Sequence, residues 1–187
     1  MAKNSGALMG LFRFLERLSV VMAYISGALL TLLSLFIAAD VLGRGSGKFY
    51  SGATDEISGF IMAMAVTWAL AYTLTIDKHV RVDLVLSAVS APVRRVLDWL
   101  ALLLLTAFAA LLAINSWGLA VESYDIGALS SSILQLPLVI PQAVMAIGFT
   151  MLAAQSLLTL LVATFDPSGL ARARAEESKA APTQYDV

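Results

Sequence analysis

The side chains able to do chemistry in this sequence are few, and they fall in three places. Asp40 and Arg44 stand four residues apart, which on a helix puts both on one face within pairing reach. Asp55 and Glu56 open the next apolar run, where negative charge suits a helix N-terminus. Arg44 can reach Asp40 or, across a turn, Glu56. Such a group can set the angle between two helices, or it can belong to a proton or ion path, since charge within a membrane is functional by default. Its place at the ends of apolar runs, away from their middles, favours the structural role. The second place is Asp77-Lys78-His79-Val80-Arg81-Val82-Asp83, which holds the one histidine of the chain. His79 lacks the companions of a general base and reads as a solvated loop residue. The third is Leu136-Pro137-Leu138-Val139-Ile140-Pro141-Gln142. Each proline disfavours helix in the residue ahead of it, and Pro141 suits a first helical turn.

Several chemistries are excluded outright. The chain has no cysteine, so disulfides, thiolate metal sites, iron–sulfur ligation and thiol catalysis are out. One histidine cannot supply a paired-histidine haem or a multi-histidine metal site. A formal net charge of −1 gives no basic footprint for nucleic acid. No cofactor is expected.

The elements that position these residues follow from hydropathy. Hydrophobic residues make up 59% of the 187, charged residues only 13%, and the mean hydropathy is +0.85. That is about half the charge of a soluble domain, and it places the chain in a membrane. Crossing a hydrocarbon core of roughly 30 Å takes about 20 apolar residues. Four stretches qualify: about 19–42, 57–76, 96–118 and 141–165. The fold class is therefore an all-α integral membrane protein of four transmembrane helices, with residues 19–165 as its transmembrane domain. Ten of the twelve Lys and Arg residues fall before the first span, between the second and third, or after the fourth. The exceptions are Arg44 and Lys48, and the connection from Leu119 to Ile140 has none. The positive-inside rule then puts both termini and the middle loop in the cytoplasm.

Before the first span, Leu8, Leu11, Phe12, Phe14, Leu15 and Leu18 share one arc of a helical wheel, with Arg13, Glu16 and Arg17 opposite. We read residues 1–18 as an amphipathic helix lying in the membrane interface before the chain turns to cross. The other reading is that the first span simply begins earlier. The apolar run is too long for a typical cleaved signal peptide. The segment 166–187 is rich in Ala, Arg and Glu, with Pro167, Gly169 and Pro182, and reads as a disordered cytoplasmic tail.

Polar groups within the spans are sparse: Ser34, Thr67, Trp68, Asn115 and Gln155. Ser and Thr can satisfy themselves on their own helix, whereas Asn115 and Gln155 are expected to hydrogen-bond between helices. These groups form no cluster for a charged solute, and no span is broken at mid-membrane by Gly or Pro as in transporters with an ion site. Trp99, Trp117, Tyr124, Phe49 and Tyr50 fall near span ends and fit an aromatic belt.

These features together resemble the small membrane subunit of the tripartite ATP-independent periplasmic (TRAP) transporters, the DctQ-like family. The resemblance covers about Phe14 to Leu161. It rests on Asp40–Arg44 followed by Asp55-Glu56, on Lys78-His79-Val80-Arg81-Val82-Asp83-Leu84, and on Leu136 to Gln142 with Ile147-Gly148-Phe149 and Gln155. Val139 stands where the family often has an aromatic. The resemblance implies a scaffold subunit, not an enzyme, in the bacterial inner membrane. It would partner a large DctM-like membrane subunit that carries the solute, commonly an organic acid, with the coupling sodium ions. A periplasmic DctP-like binding protein would visit transiently, and lipids would surround the rest. On this reading Asp40, Arg44, Asp55, Glu56, His79, Arg81, Asp83, Pro137, Pro141 and Gln142 are structural or interface residues, with no catalytic, substrate or metal ligand among them. A self-sufficient four-helix transporter, a membrane enzyme and a purely regulatory membrane protein are the rival classes. Uptake by the chain alone would identify the first, an acid–base or nucleophile constellation the second, and dispensability for transport the third.

Overall fold

The computed structural model describes residues 2–46, 52–75, 90–132 and 134–165. They form four helices: α1 (Ala2–Ser46), α2 (Thr54–Thr75), α3 (Ala91–Asp125) and α4 (Val139–Phe165). All four are long and apolar enough to cross a membrane, and among the described residues the only β pairing is an isolated bridge between Leu129 and Pro137. The all-α, four-helix expectation is met. His79, Arg81 and Asp83, together with Lys48, Phe49, Tyr50 and the 166–187 tail, lie outside the described residues.

α1 differs from expectation. No turn separates residues 1–18 from the first span; one helix of 45 residues runs through both, about 67 Å at 1.5 Å per residue. The physical reason is a single buried seam. Phe12, Ser19, Met22, Ser26, Leu33 and Asp40 are all buried and recur at multiples of three, four or seven, the period of left-handed helix packing. The seam begins within the supposed interfacial segment: Phe12 packs with Leu158 and Val162 of α4, flanked by Leu8 and Leu15. The arc read from the wheel is therefore split, because Leu11, Phe14 and Leu18 face outward. The hydroxyls of Ser19, Ser26, Thr31 and Ser34 each donate to a carbonyl three or four residues earlier, which satisfies them where no water reaches.

α3 starts where expected, with Pro92 in its first turn, but runs to Asp125 and not to about 118. Nothing in 119–125 breaks a helix. The stop comes at Gly127, whose φ of 62° suits the left-handed position of a Schellman cap. Ala128 N–H donates to Ser123 O at 2.9 Å and Gly127 N–H to Tyr124 O at 3.2 Å. The outer connection thus shrinks to residues 126–138. α4 begins at Val139, so Ile140 is helical despite preceding a proline, and Pro141 sits in the first turn, where a missing N–H costs nothing.

The helices do not form a closed square. α4 packs against all three others, and half of its apolar stretch is buried, against 17–22% in α1, α2 and α3. α1 also packs on α2, whereas α3 packs chiefly on α4, meeting α2 at Leu74 in a cluster with Leu102 and Leu160. α4 is the post around which the molecule is built.

Candidate functional site

Of the residues singled out by sequence, the described ones, Asp40, Arg44, Asp55, Glu56, Pro137, Pro141 and Gln142, gather at one end of the bundle. Asp40 is fully buried in α1, and Arg44 Nη2 donates to its Oδ2 at 3.0 Å, with the guanidinium side chain 57% exposed. Of the two partners open to Arg44, the ion pair is with Asp40, the nearer in sequence. Met22 of α1 packs beside Ala71 of α2. Counting along the antiparallel helices from that contact brings Asp40 level with the start of α2 at Thr54.

Glu56, half-buried in the first turn of α2, takes a different partner. The Ser132 hydroxyl donates to its Oε2. The segment that delivers Ser132 is a small two-stranded loop between α3 and α4. Ser130 N–H donates to Leu136 O at 2.9 Å, Leu138 N–H to Ala128 O at 3.0 Å, and Leu136 N–H to Ser130 Oγ at 3.1 Å. Gln135 at its turn has a φ of 45°. Ser132 Oγ also accepts from Leu134 N–H at 3.1 Å. The loop is thereby latched to the N-terminus of α2, 76 residues away in sequence. Glu56 Oε1 is buried without a partner among the described residues.

Below this latch an apolar furrow of about 170 Å³ runs between Ile57, Phe60, Ile61 and Met64 of α2 and Leu136, Pro137, Ile140 and Pro141. Pro137 is exposed and Pro141 buried; Gln142 is half-buried, its N–H donating to Leu138 O at 3.3 Å and its Oε1 without a partner among the described residues. Asp55 is exposed beside the latch. The structure therefore brings Pro137 and Pro141 together along one furrow, with Glu56 beside the serines of the loop above it and Asp40–Arg44 as a separate pair on α1. The chemistry available is a carboxylate and three serine hydroxyls, suited to holding a loop. No cluster of three or more His, Asp or Glu occurs among the described residues.

Deeper in the bundle the polar contacts differ from expectation. Asn115 Nδ2 donates to Leu111 O on its own helix at 2.7 Å, not to a neighbour. Gln155 is fully buried, yet neither amide atom has a partner among the described residues. The interhelical bonds come from tryptophans instead: Trp68 Nε1 to Val144 O at 2.8 Å, Trp99 Nε1 to Thr164 Oγ1 at 3.0 Å, and Trp117 Nε1 to Thr150 Oγ1 at 3.0 Å. Sequence reasoning assigned Trp99 and Trp117 to a belt and missed Ser130 and Ser132. The run Ser130-Ser131-Ser132, three residues after Gly127, was the available sign.

Compared with known families, residues 31–165 match the model of the family described as "Tripartite ATP-independent periplasmic transporters, DctQ component". No curated protein and no solved structure matches the chain.

Proposed function

Because the chain belongs to the DctQ component family of the TRAP transporters, a family of transporter subunits, we propose that it is the fixed scaffold beside a large DctM-like subunit in a sodium-coupled importer of an organic acid or similar solute. A periplasmic DctP-like protein delivers the solute. The scaffold sits in the bacterial inner membrane with both termini in the cytoplasm, so that the Asp40–Arg44 pair and the Glu56–Ser132 latch face the periplasm. The observation that supports the scaffold role is the packing: half of the apolar stretch of α4 is buried among the other helices, while those three leave most of their apolar surface open. Such a shape supplies a rigid post and free faces for a partner and for lipid.

The periplasmic connections, including residues 126–138, lie where the binding protein arrives, and their docking to it is part of the same proposal. Charge reversal of Arg44, Lys48, Glu122 and Asp125 that left uptake unchanged would remove that element. The main test is co-expression of the affinity-tagged chain with the neighbouring genes of its operon, followed by mass spectrometry of what stays bound in mild detergent. The expected result is a stoichiometric large multi-span partner and sodium-driven uptake once the binding protein is added. Recovery of the chain alone, with solute uptake in liposomes holding nothing else, would make it a transporter in its own right.

A further inference from the structure

Between Arg17 and Asp40, α1 carries no charged residue. At 1.5 Å per residue the two stand about 34 Å apart along the helix, close to the roughly 30 Å of a hydrocarbon core. Arg17 therefore marks one boundary of the core and Asp40 the other. Arg13, Arg17, Tyr24, Ala28 and Thr31 are all exposed and share one line of α1, at spacings of four, seven, four and three. Arg17 has no ion-pair partner among the described residues. Tyr24 is 78% exposed and stands about 10 Å inside the boundary, deeper than a belt at the membrane surface requires. Its hydroxyl has no hydrogen-bond partner among the described residues. A hydroxyl left bare in hydrocarbon is costly, so this one needs an acceptor from outside the chain. Helix side chains lean toward the N-terminus. The phenol and the guanidinium both reach toward the Arg17 boundary, where the ester carbonyls and phosphates of lipid begin.

From Tyr24 toward mid-membrane, a depression of about 330 Å³ opens between Ala23, Tyr24, Gly27 and Ala28 of α1 and Tyr72 of α2. A Cβ added at Gly27 would meet nothing within 4 Å. Along one line of α1 the order is thus cation, hydroxyl donor, apolar hollow. That is the order of phosphate, ester and acyl chain in a phospholipid. The basic group selects an anionic lipid, since each Lys or Arg near the surface adds to its attraction. The same end of α3 differs. Arg94 and Arg95 are exposed there, but Trp99, the aromatic one turn further in, already donates its Nε1 proton to Thr164 Oγ1 at 3.0 Å. That donor needs nothing from lipid.

We propose that the depression between α1 and α2 seats an acyl chain of an anionic phospholipid, whose phosphate is held by Arg17 and whose ester region accepts from the Tyr24 hydroxyl. This requires only that the chain crosses a membrane and is independent of the scaffold reading. The test uses the full chain, purified in mild detergent and stripped of lipid. It is titrated with phosphatidylglycerol, or with phosphatidylcholine of the same acyl chains, and followed by native mass spectrometry. The variants are Arg17→Gln, Tyr24→Phe and Gly27→Leu. Arg95→Gln removes the same charge from α3 and serves as the control. A phosphatidylglycerol with a photoreactive group in its acyl chain locates the site by peptide mapping. A photo-crosslinking amino acid at Ala28 reports what lies against the depression in the native membrane.

The expected result is one phosphatidylglycerol bound in preference to phosphatidylcholine. Arg17→Gln weakens it about fivefold, Tyr24→Phe about two- to tenfold, and Arg95→Gln leaves it unchanged. Gly27→Leu fills the hollow and weakens both lipids alike. Lipid crosslinks fall on the Ala23–Ala28 segment or on Tyr72, and the Ala28 probe captures lipid. An unchanged melting curve of each variant excludes misfolding. Equal retention of the two lipids, an equal loss from Arg17→Gln and Arg95→Gln, lipid crosslinks confined to α3 or α4, or capture of a protein and not a lipid by the Ala28 probe would each overturn the proposal.

Discussion

A Cβ built on Gly148 of α4 would lie 2.9 Å from the backbone carbon and Oγ1 of Thr67 on α2. Two helix backbones meet there with no room for a methyl group, and the contact sets the spacing of the central post against its neighbour. Gly148→Ala forces α2 aside and is expected to cost about 1–3 kcal/mol. The measurement is the unfolding midpoint of the purified chain in mild detergent. An unchanged midpoint would show that the helices part there at no cost.

One turn nearer the start of α4, the Trp68 indole bridges to the Val144 carbonyl. Trp68→Phe keeps a large ring and removes the donor. Interhelical hydrogen bonds in membranes average below about 1 kcal/mol, so a loss of about 0.5–1.5 kcal/mol is expected once the smaller ring is included. A double-mutant cycle with Gly148→Ala checks whether the two contacts form one joint, since neighbours in contact deviate from additivity.

Gln155 shows the reverse case. Its fully buried amide lacks a partner among the described residues, and a buried unsatisfied amide costs about 1–3 kcal/mol. Gln155→Leu is expected to raise the unfolding midpoint. A lower midpoint would mean that the amide is bonded in the membrane, most simply to a water.

The Glu56–Ser132 latch holds the 126–138 loop. Glu56→Ala and Ser132→Ala should each speed hydrogen exchange at the Ser130, Leu136 and Leu138 amides, whereas Glu56→Gln keeps an acceptor and should stay closer to the parent. Exchange equally slow in all three variants would show that the loop is held by its own backbone bonds alone.

Asp40 is buried and Arg44 largely exposed. Arg44→Ala leaves a buried carboxylate short of a partner, whereas Asp40→Asn leaves a solvated guanidinium. Arg44→Ala is therefore expected to be the more costly, by about 1–2 kcal/mol after allowance for solvent screening of the exposed partner. Equal effects in denaturation experiments would place the stabilisation in other contacts of Asp40.

Four spans follow from run length and local composition, and the Asp40–Arg44 pair follows from a spacing of four on one helix. Both are properties of neighbouring residues, so the amino-acid sequence by itself determined them. So did the start of α3 near Pro92. The identity of the central helix, the split of the Leu8–Leu18 arc into inward and outward halves, and the choice of Ser132 for Glu56 came only with the tertiary structure. The reason is the solvent. In water a buried face is apolar and an exposed one polar, and sequence periodicity reveals the difference. In lipid both faces are apolar, so Phe12 facing α4 and Phe14 facing outward look alike until the helices are packed. The long-range contacts are harder still: Glu56 and Ser132, like Trp68 and Val144, are 76 residues apart, and only the packing of α2 against α4 and its preceding loop brings them together.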